Sequence, residues 1–242
     1  MGDHRLLVGT TKGAFILRSS DRQSFEVGGP YIRGREVYSL AYDKRRGRTL
    51  VGATSAHWGP SVSWSDDDGA SWTETPEQNI GFPEALGASL ERVWQLVPAG
   101  DDQPDVTYAG VEPAALFRSE DAGESWSLVQ GLWDHPHRPE WQPGGGGLCL
   151  HTISLHPSDP STINIAISAA GHYRTSDGGA TWEAANAGIK AVFMPEDQQF
   201  PEFGQCVHKF DRDPTNPETL FMQHHWGVYR SDDNGGTWTE IS

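Results

Sequence analysis

The pattern Ser/Thr-x-Asp-x-Gly-x-Ser/Thr-Trp recurs four times along this chain of 242 residues. The first copy is Ser65-Asp-Asp-Asp-Gly-Ala-Ser-Trp72, and the others occupy 119–126, 175–182 and 231–238. They start 54, 56 and 56 residues apart. A fixed period of this size means one supersecondary unit repeated, because each unit can bury its apolar face only against its neighbours.

Short apolar runs flank each copy, so each reads as strand, tight turn, strand. The central aspartates, Asp67, Asp121, Asp177 and Asp233, are expected to accept hydrogen bonds from backbone N–H groups about two residues on, closing the turn. The glycine two positions later supplies a positive φ. The closing tryptophans, Trp72, Trp126, Trp182 and Trp238, begin the next strand and are expected to pack under the turn or against a neighbouring unit. A calcium loop is excluded for Asp66-x-Asp68-Gly69, since no later glutamate or flanking helices accompany it. One reaction does not need four identical turns, so these residues are read as structural.

On these residues the chain resembles the Asp-box (BNR-repeat) β-propellers. That superfamily includes sialidases, other glycan-active enzymes, sortilin-type receptors and photosystem II assembly factors. The likeness covers essentially the whole chain. Its overall look is nearest to bacterial proteins labelled exo-alpha-sialidase or glycosyl hydrolase with BNR repeats. The resemblance implies an all-β propeller. It says little about activity, because one fold hosts many functions.

The 18 lysines and arginines against 33 aspartates and glutamates leave a net charge of −15. Such a surface repels phosphate backbones, so no nucleic-acid partner is expected. No apolar run approaches the roughly 18 residues of a membrane span, so no membrane partner is expected either. The start carries no basic-plus-apolar signal segment, and two cysteines make no disulfide framework. The expectation is a cytoplasmic protein.

Aligned on the boxes, a first strand recurs at 37–41, 93–97, 150–154 and 207–211, and a second at 49–53, 106–110, 163–167 and 220–223. The third strand enters the box and the fourth leaves it, which makes a four-stranded propeller blade. The N-terminus offers only three strands, at 5–10, 14–18 and 24–27, around a shortened box at 19–25. The chain is therefore expected to be one domain, 1–242, with about five blades near 5–27, 36–77, 92–130, 149–186 and 206–242. The last box stands close to Ser242, leaving no strand to close the ring. An incomplete six- or seven-bladed ring, truncated at its C-terminus, is expected; a five-bladed ring closed by side-chain packing is the alternative.

Antiparallel order puts the long inter-blade connections, 28–36, 75–92, 131–149 and 186–206, on the side opposite the boxes. Long loops on a rigid scaffold are where function concentrates. First strands line the channel. Glu112 and Glu91 are the candidate catalytic carboxylates, since glycoside hydrolysis uses one carboxyl as acid and one ionised. His151 and His208 are candidate proton-transfer groups beside them. Arg92, Arg138, His224 and the stacking surfaces Trp58, Trp94 and Trp141 are the candidate substrate-binding set. Their alternative role is ordinary ion pairing and packing.

Two blades share a Cys-x-His spacing, Cys149-Leu-His151 and Cys206-Val-His208, which puts each pair on one side of its strand. His224 and His225 are expected near His208. These cysteines and histidines could bind zinc, or they are repeat-inherited core residues. No other cofactor is expected. The run Pro143-Gly-Gly-Gly-Gly147 is no phosphate loop, because no Gly-Lys-Ser/Thr follows; it lets backbone pass close to the channel mouth.

A sialidase of this superfamily carries an early Phe/Tyr-Arg-Ile-Pro motif, where this chain has Tyr31-Ile-Arg33-Gly. Sialidase activity is therefore not expected. A glycan-directed hydrolase or lyase at the loop-rich face, a non-catalytic binding or assembly scaffold, and a metal-containing propeller remain open. The partner at that face would be a glycan, a small molecule or a protein.

Overall fold

The computed structural model describes residues 4–75 and 78–242. Its strands form five antiparallel sheets in chain order. The first holds β1 (His4–Thr10), β2 (Gly13–Ser19) and β3 (Glu26–Tyr31); the second holds β4 (Glu36–Asp43), β5 (Arg48–Ser55) and β6 (Gly59–Ser65). The third runs β7 (Arg92–Pro98), β8 (Thr107–Glu112), β9 (Ala115–Ser119), β10 (Ser127–Leu128). The fourth runs β11 (Leu150–His156), β12 (Asp159–Ile167), β13 (Gly171–Thr175), β14 (Glu183–Ala184). The fifth runs β15 (Val207–Arg212), β16 (Leu220–His224), β17 (Gly227–Ser231), β18 (Thr239–Glu240).

Strand by strand, the burial follows the sequence pattern. The second strands β5 and β8 are covered on both faces, and their residues read as nearly unbroken small or apolar runs. The first strand β4 alternates, with Val37 and Ala41 buried while Tyr38 and Tyr42 face out. The expected three-stranded first sheet is present. Its shortened box still works as a turn: Asp21 Oδ1 accepts the N–H groups of Gln23 and Ser24 at 2.8 and 3.0 Å. In the second sheet the expected fourth strand shrinks to a single bridge between Trp64 and Thr73. The chain divides into two compact units, Met1–Val111 with Phe117–Ser127, and Glu112–Leu116 with Leu128–Ser242.

The hydroxyl, aspartate and glycine positions of the box each have a bond to make. In the third copy, Thr181 N–H donates to Asp177 Oδ1 at 2.9 Å, and the hydroxyls of Thr181 and Thr175 donate to its two oxygens at 2.6 and 2.7 Å. Gly179 N–H donates to Thr175 Oγ1 at 3.1 Å. Asp67, Asp121 and Asp233 repeat this arrangement. The aspartate thus reaches the N–H four residues on, not two as expected, because the intervening pair of residues both turn left-handed. At 122–123 these are Ala122, φ 59°, and Gly123, φ 95°.

Two of the long connections start on the box side and only then reach the expected one, where Gly144 lies against Ser168 and the Gly204 N–H donates to the Ala170 carbonyl. The one leaving the third sheet begins with a short helix, α1 (Gln130–Trp133), and a side chain at Gly131 would collide with the carbonyls of Gly179 and Ala180 in the third box. Likewise Ala187 bridges to Thr237, within the fourth box. The cause is length. The fourth strands β10 and β14 have two residues each, about 7 Å, too short to carry the chain to the far side before the connection starts. In the second compact unit the boxes therefore act as braces, each receiving the exit of the preceding sheet.

Candidate functional site

Glu112 ends β8 and is buried. The Gly144–Gly147 turn, closed by two backbone bonds of 3.2 and 3.1 Å, lies over it, and any side chain at Gly147 would strike its carboxylate. Here the glycine run is needed for close approach. Glu91 falls in the other compact unit, with its side chain 60% exposed and 3.7 Å from the Arg92 guanidinium.

Around the start of the first strands in the first unit, Tyr38 and Trp94 pack with ring centroids 5.4 Å apart, and Arg92 sits over the Tyr38 ring at 5.4 Å. The Tyr38 hydroxyl donates to Glu36 at 2.6 Å. Arg92 and Trp94, both expected to bind substrate, are thus brought together by Tyr38. Trp58 stands apart in the turn between β5 and β6, 65% exposed.

Trp141 and Arg138 lie within a packed aromatic cluster. Trp141 is buried, its indole N–H donates to the Tyr173 hydroxyl at 2.8 Å, and His135 stacks on it at 6.3 Å. Arg138 lies 3.4 Å from the centre of the Trp133 ring and donates to the Ala114 carbonyl at 2.6 Å. Burial pushes the Arg138 guanidinium down to about 10. These contacts use the ring faces and donors that a bound sugar would need. His137 completes the cluster, stacked on Phe203 at 4.1 Å. Beside it opens a cleft of about 550 Å³ lined by Asp134, His135, Pro136 and Trp182, next to the third box and not away from it.

His151 bonds Thr152 Oγ1 at 2.9 Å, and burial with the nearby Lys209 pushes its imidazole down to about 4. It is neutral at pH 7. His224 is fully buried, also pushed down to about 4 by burial and by His225 and His208.

The sulfur of Cys206 and ring nitrogens of His208 and His225 gather within 4.8 Å of one another. Cys149 and His151 are not part of that group. Cys149 is buried at the start of the fourth sheet, where Ser168 N–H donates to its carbonyl at 2.9 Å. The expected four-residue set therefore divides, and His225 replaces the fourth-sheet pair. The signal for it was the hairpin: β16 pairs β17 as far as His224 with Gly227, so His225 occupies the turn.

Among the described residues no helix is long and apolar enough to cross a membrane. No family model matches the chain. A stretch of 97 residues, 40% of the chain, is 30% identical to vacuolar protein sorting/targeting protein 10 of Fusarium vanettenii, and covers 6% of that protein. Among solved structures the chain is similar to the GH74 xyloglucanase from Xanthomonas campestris, with TM-score 0.64, 21% identity, and coverage of 98% of this chain and 36% of that one. It is also similar to YCF48 from Cyanidioschyzon merolae, with TM-score 0.52, 15% identity, and coverage of 88% and 58%. The WD40 β-propeller domain of Doa1 superposes with TM-score 0.55 at 12% identity, over 97% of this chain and 63% of that one. The chain thus spans less than two thirds of each of these proteins, and at such identities the structural likeness concerns fold alone. Five antiparallel sheets in chain order, with these neighbours, make this chain a β-propeller.

Proposed function

We propose that this propeller is a binding module, without chemistry of its own, that docks an apolar peptide segment of a protein partner on the connection between its fourth and fifth sheets. The observation that carries this reading is the exposure of Val192, Phe193 and Phe200, at 44%, 63% and 63%, on one pinned loop. Ala191 N–H donates to the Gln199 carbonyl at 2.8 Å, and Met194 N–H to the Ala191 carbonyl at 3.0 Å, which holds the three side chains on one short segment. Large apolar groups clustered in the open mark interaction surfaces more often than chance exposure. Glu196, Asp197 and Glu202 stand beside them in the sequence, so a segment flanked by lysine or arginine fits best.

A glycan-directed hydrolase is the second reading, supported by Glu112 alone. Glu112 is buried at the end of β8, but the second candidate carboxylate, Glu91, is exposed, and Trp141 and Arg138 are engaged in packing.

Peptide libraries displayed on phage test the first reading. Apolar peptides with basic flanks should be enriched on the native chain and at least tenfold less on the Phe193→Ser/Phe200→Ser variant. Equal enrichment on both would overturn it. A panel of β-glucans and sialosides tests the second. No turnover is expected; hydrolysis that disappears in Glu112→Gln would replace the binding reading with the hydrolytic one.

A further inference from the structure

We propose a zinc site on the fifth sheet, formed by Cys206, His208 and His225, with one coordination position left open. One thiol sulfur and two imidazole nitrogens already lie within 4.8 Å of one another. Tetrahedral zinc, with bonds of about 2.0–2.3 Å, holds its ligand atoms about 3.3–3.6 Å apart. Closing the cluster takes side-chain movements of about 1 Å by that measure, and both histidines are exposed.

Three features of the chain bring these groups together. Cys206 immediately precedes β15 and His208 is its second residue, a spacing of two that favours one face. The ladder between β15 and β16 slips between Val207 and Lys209, a bulge that re-aims His208. Val207 pairs with His224, so the next residue, His225, emerges from the turn beside the bulge. The His208 and His225 ring centroids are 4.3 Å apart at 72°.

The donor set fits the metal. One thiolate and two imidazoles suit a borderline cation such as zinc better than calcium or magnesium, which take oxygen ligands. A thiol must lose its proton to solvent as its sulfur–zinc bond forms. His224 adds an independent sign. It is fully buried, its Nε2 has no hydrogen-bond partner, and its ring lies 6.5 Å from that of His225. An orphaned buried nitrogen needs an explanation, and a metal with its bound water next to it supplies polar atoms the protein does not. Three protein ligands leave the fourth position for water or for a donor from a bound molecule. The site is independent of the peptide-docking loop, and either proposal can fail alone.

Cobalt(II) is the probe. Chelator-treated protein should bind one equivalent and develop a thiolate-to-cobalt charge-transfer band that zinc removes. Cys206→Ser should abolish the band, and Cys149→Ser should leave it intact. His225→Ala, on an exposed turn where the fold tolerates change, should weaken cobalt binding at least tenfold with an unchanged circular dichroism spectrum. A native chain without the band, a band that survives Cys206→Ser, or unchanged affinity in His225→Ala would each overturn the site.

Discussion

Replacing Trp238 by alanine is expected to lower the stability of the second compact unit by about 4 kcal/mol, the upper part of the range for large aromatic truncations. Trp238 is 4% exposed and packs in one apolar cluster with Ile189, Phe210, Leu220, Met222 and Tyr229. Its ring meets His172 edge to face at 5.4 Å. Its indole N–H donates to the Ala185 carbonyl at 3.0 Å and its backbone N–H to the Ala187 carbonyl at 2.8 Å, both on the exit from the fourth sheet. Alanine would leave a cavity and remove one of the two donors to the Ala185 carbonyl, which would keep only His172 Nδ1. The same joint can be attacked from the other side. A side chain at Gly188, φ 91°, would run into the Trp238 carbonyl, so Gly188→Ala should destabilise in the same direction through overpacking and backbone strain. Urea unfolding should show a lower midpoint with an unchanged slope. A loss below about 1 kcal/mol for Trp238→Ala, the size of an ordinary substitution, would mean that the box does not brace the sheets. Trp72 offers the contrast, because its buried indole nitrogen has no partner. Trp72→Phe should therefore be milder than Trp238→Phe.

The boxes were the most legible part of the chain, and also the part whose physics was most incompletely read. Their spacing announced the sheets, and first and second strands fell close to their expected places, because period-two alternation and small-residue runs survive in single sequences. The serine and threonine roles were not legible: a hydroxyl that both donates to the aspartate and accepts from the glycine N–H looks, in sequence, like any polar turn residue. Nor does Ala122 announce a positive φ. Fourth strands of two residues had no signature, since Ser127-Leu128 and Glu183-Ala184 carry too little pattern to delimit a strand. That one uncertainty moved the start of the connection at 131 from the far side onto the third box. Among the candidate site residues, burial was not readable. Trp141 and Trp58 look equivalent as stacking surfaces, yet one is interior and one is 65% exposed. Only the long-range contacts of Trp141 with Tyr173 and His135 separate them. The expected Cys/His set divides for a related reason. The Cys-x-His spacing repeats in both sheets, but the hairpin turn that brings a third donor, His225, stands beside only one of them.

Acid should destabilise the protein in two separate phases. His172 is fully buried, and burial pushes its imidazole down to about 4 from 6.5. Its Nδ1 lies 2.9 Å from the Ala185 carbonyl, so that nitrogen carries the proton; Nε2 then accepts from the side-chain amide of Asn164, oriented with its nitrogen 2.9 Å away. The unfolded chain takes up a proton near pH 6.5, whereas the folded chain resists until about 4. Between these values the unfolded state binds more protons, so stability falls as pH falls, by about 3 kcal/mol from His172 in total. His151 and His224, also pushed down to about 4, act in the same direction over the same window. Below it the histidine contribution is constant and the boxes take over. Hydrogen bonds from Ser24, Gln23 and Ser19 hold Asp21 at about 2, and Thr181 and Thr175 hold Asp177 lower still. A carboxylate depressed in the fold stabilises it above the unfolded value of 3.8 and loses that contribution as pH falls through its folded value. Urea midpoints measured from neutrality downward should therefore decline first between about pH 6.5 and 4, then again below. His172→Gln should remove from the first decline the slope of one proton, about 1.4 kcal/mol per pH unit, and leave the second unchanged. A profile flat down to about pH 4 would show that these histidines are protonated in the folded protein and that their burial is relieved by opening of the fourth and fifth sheets.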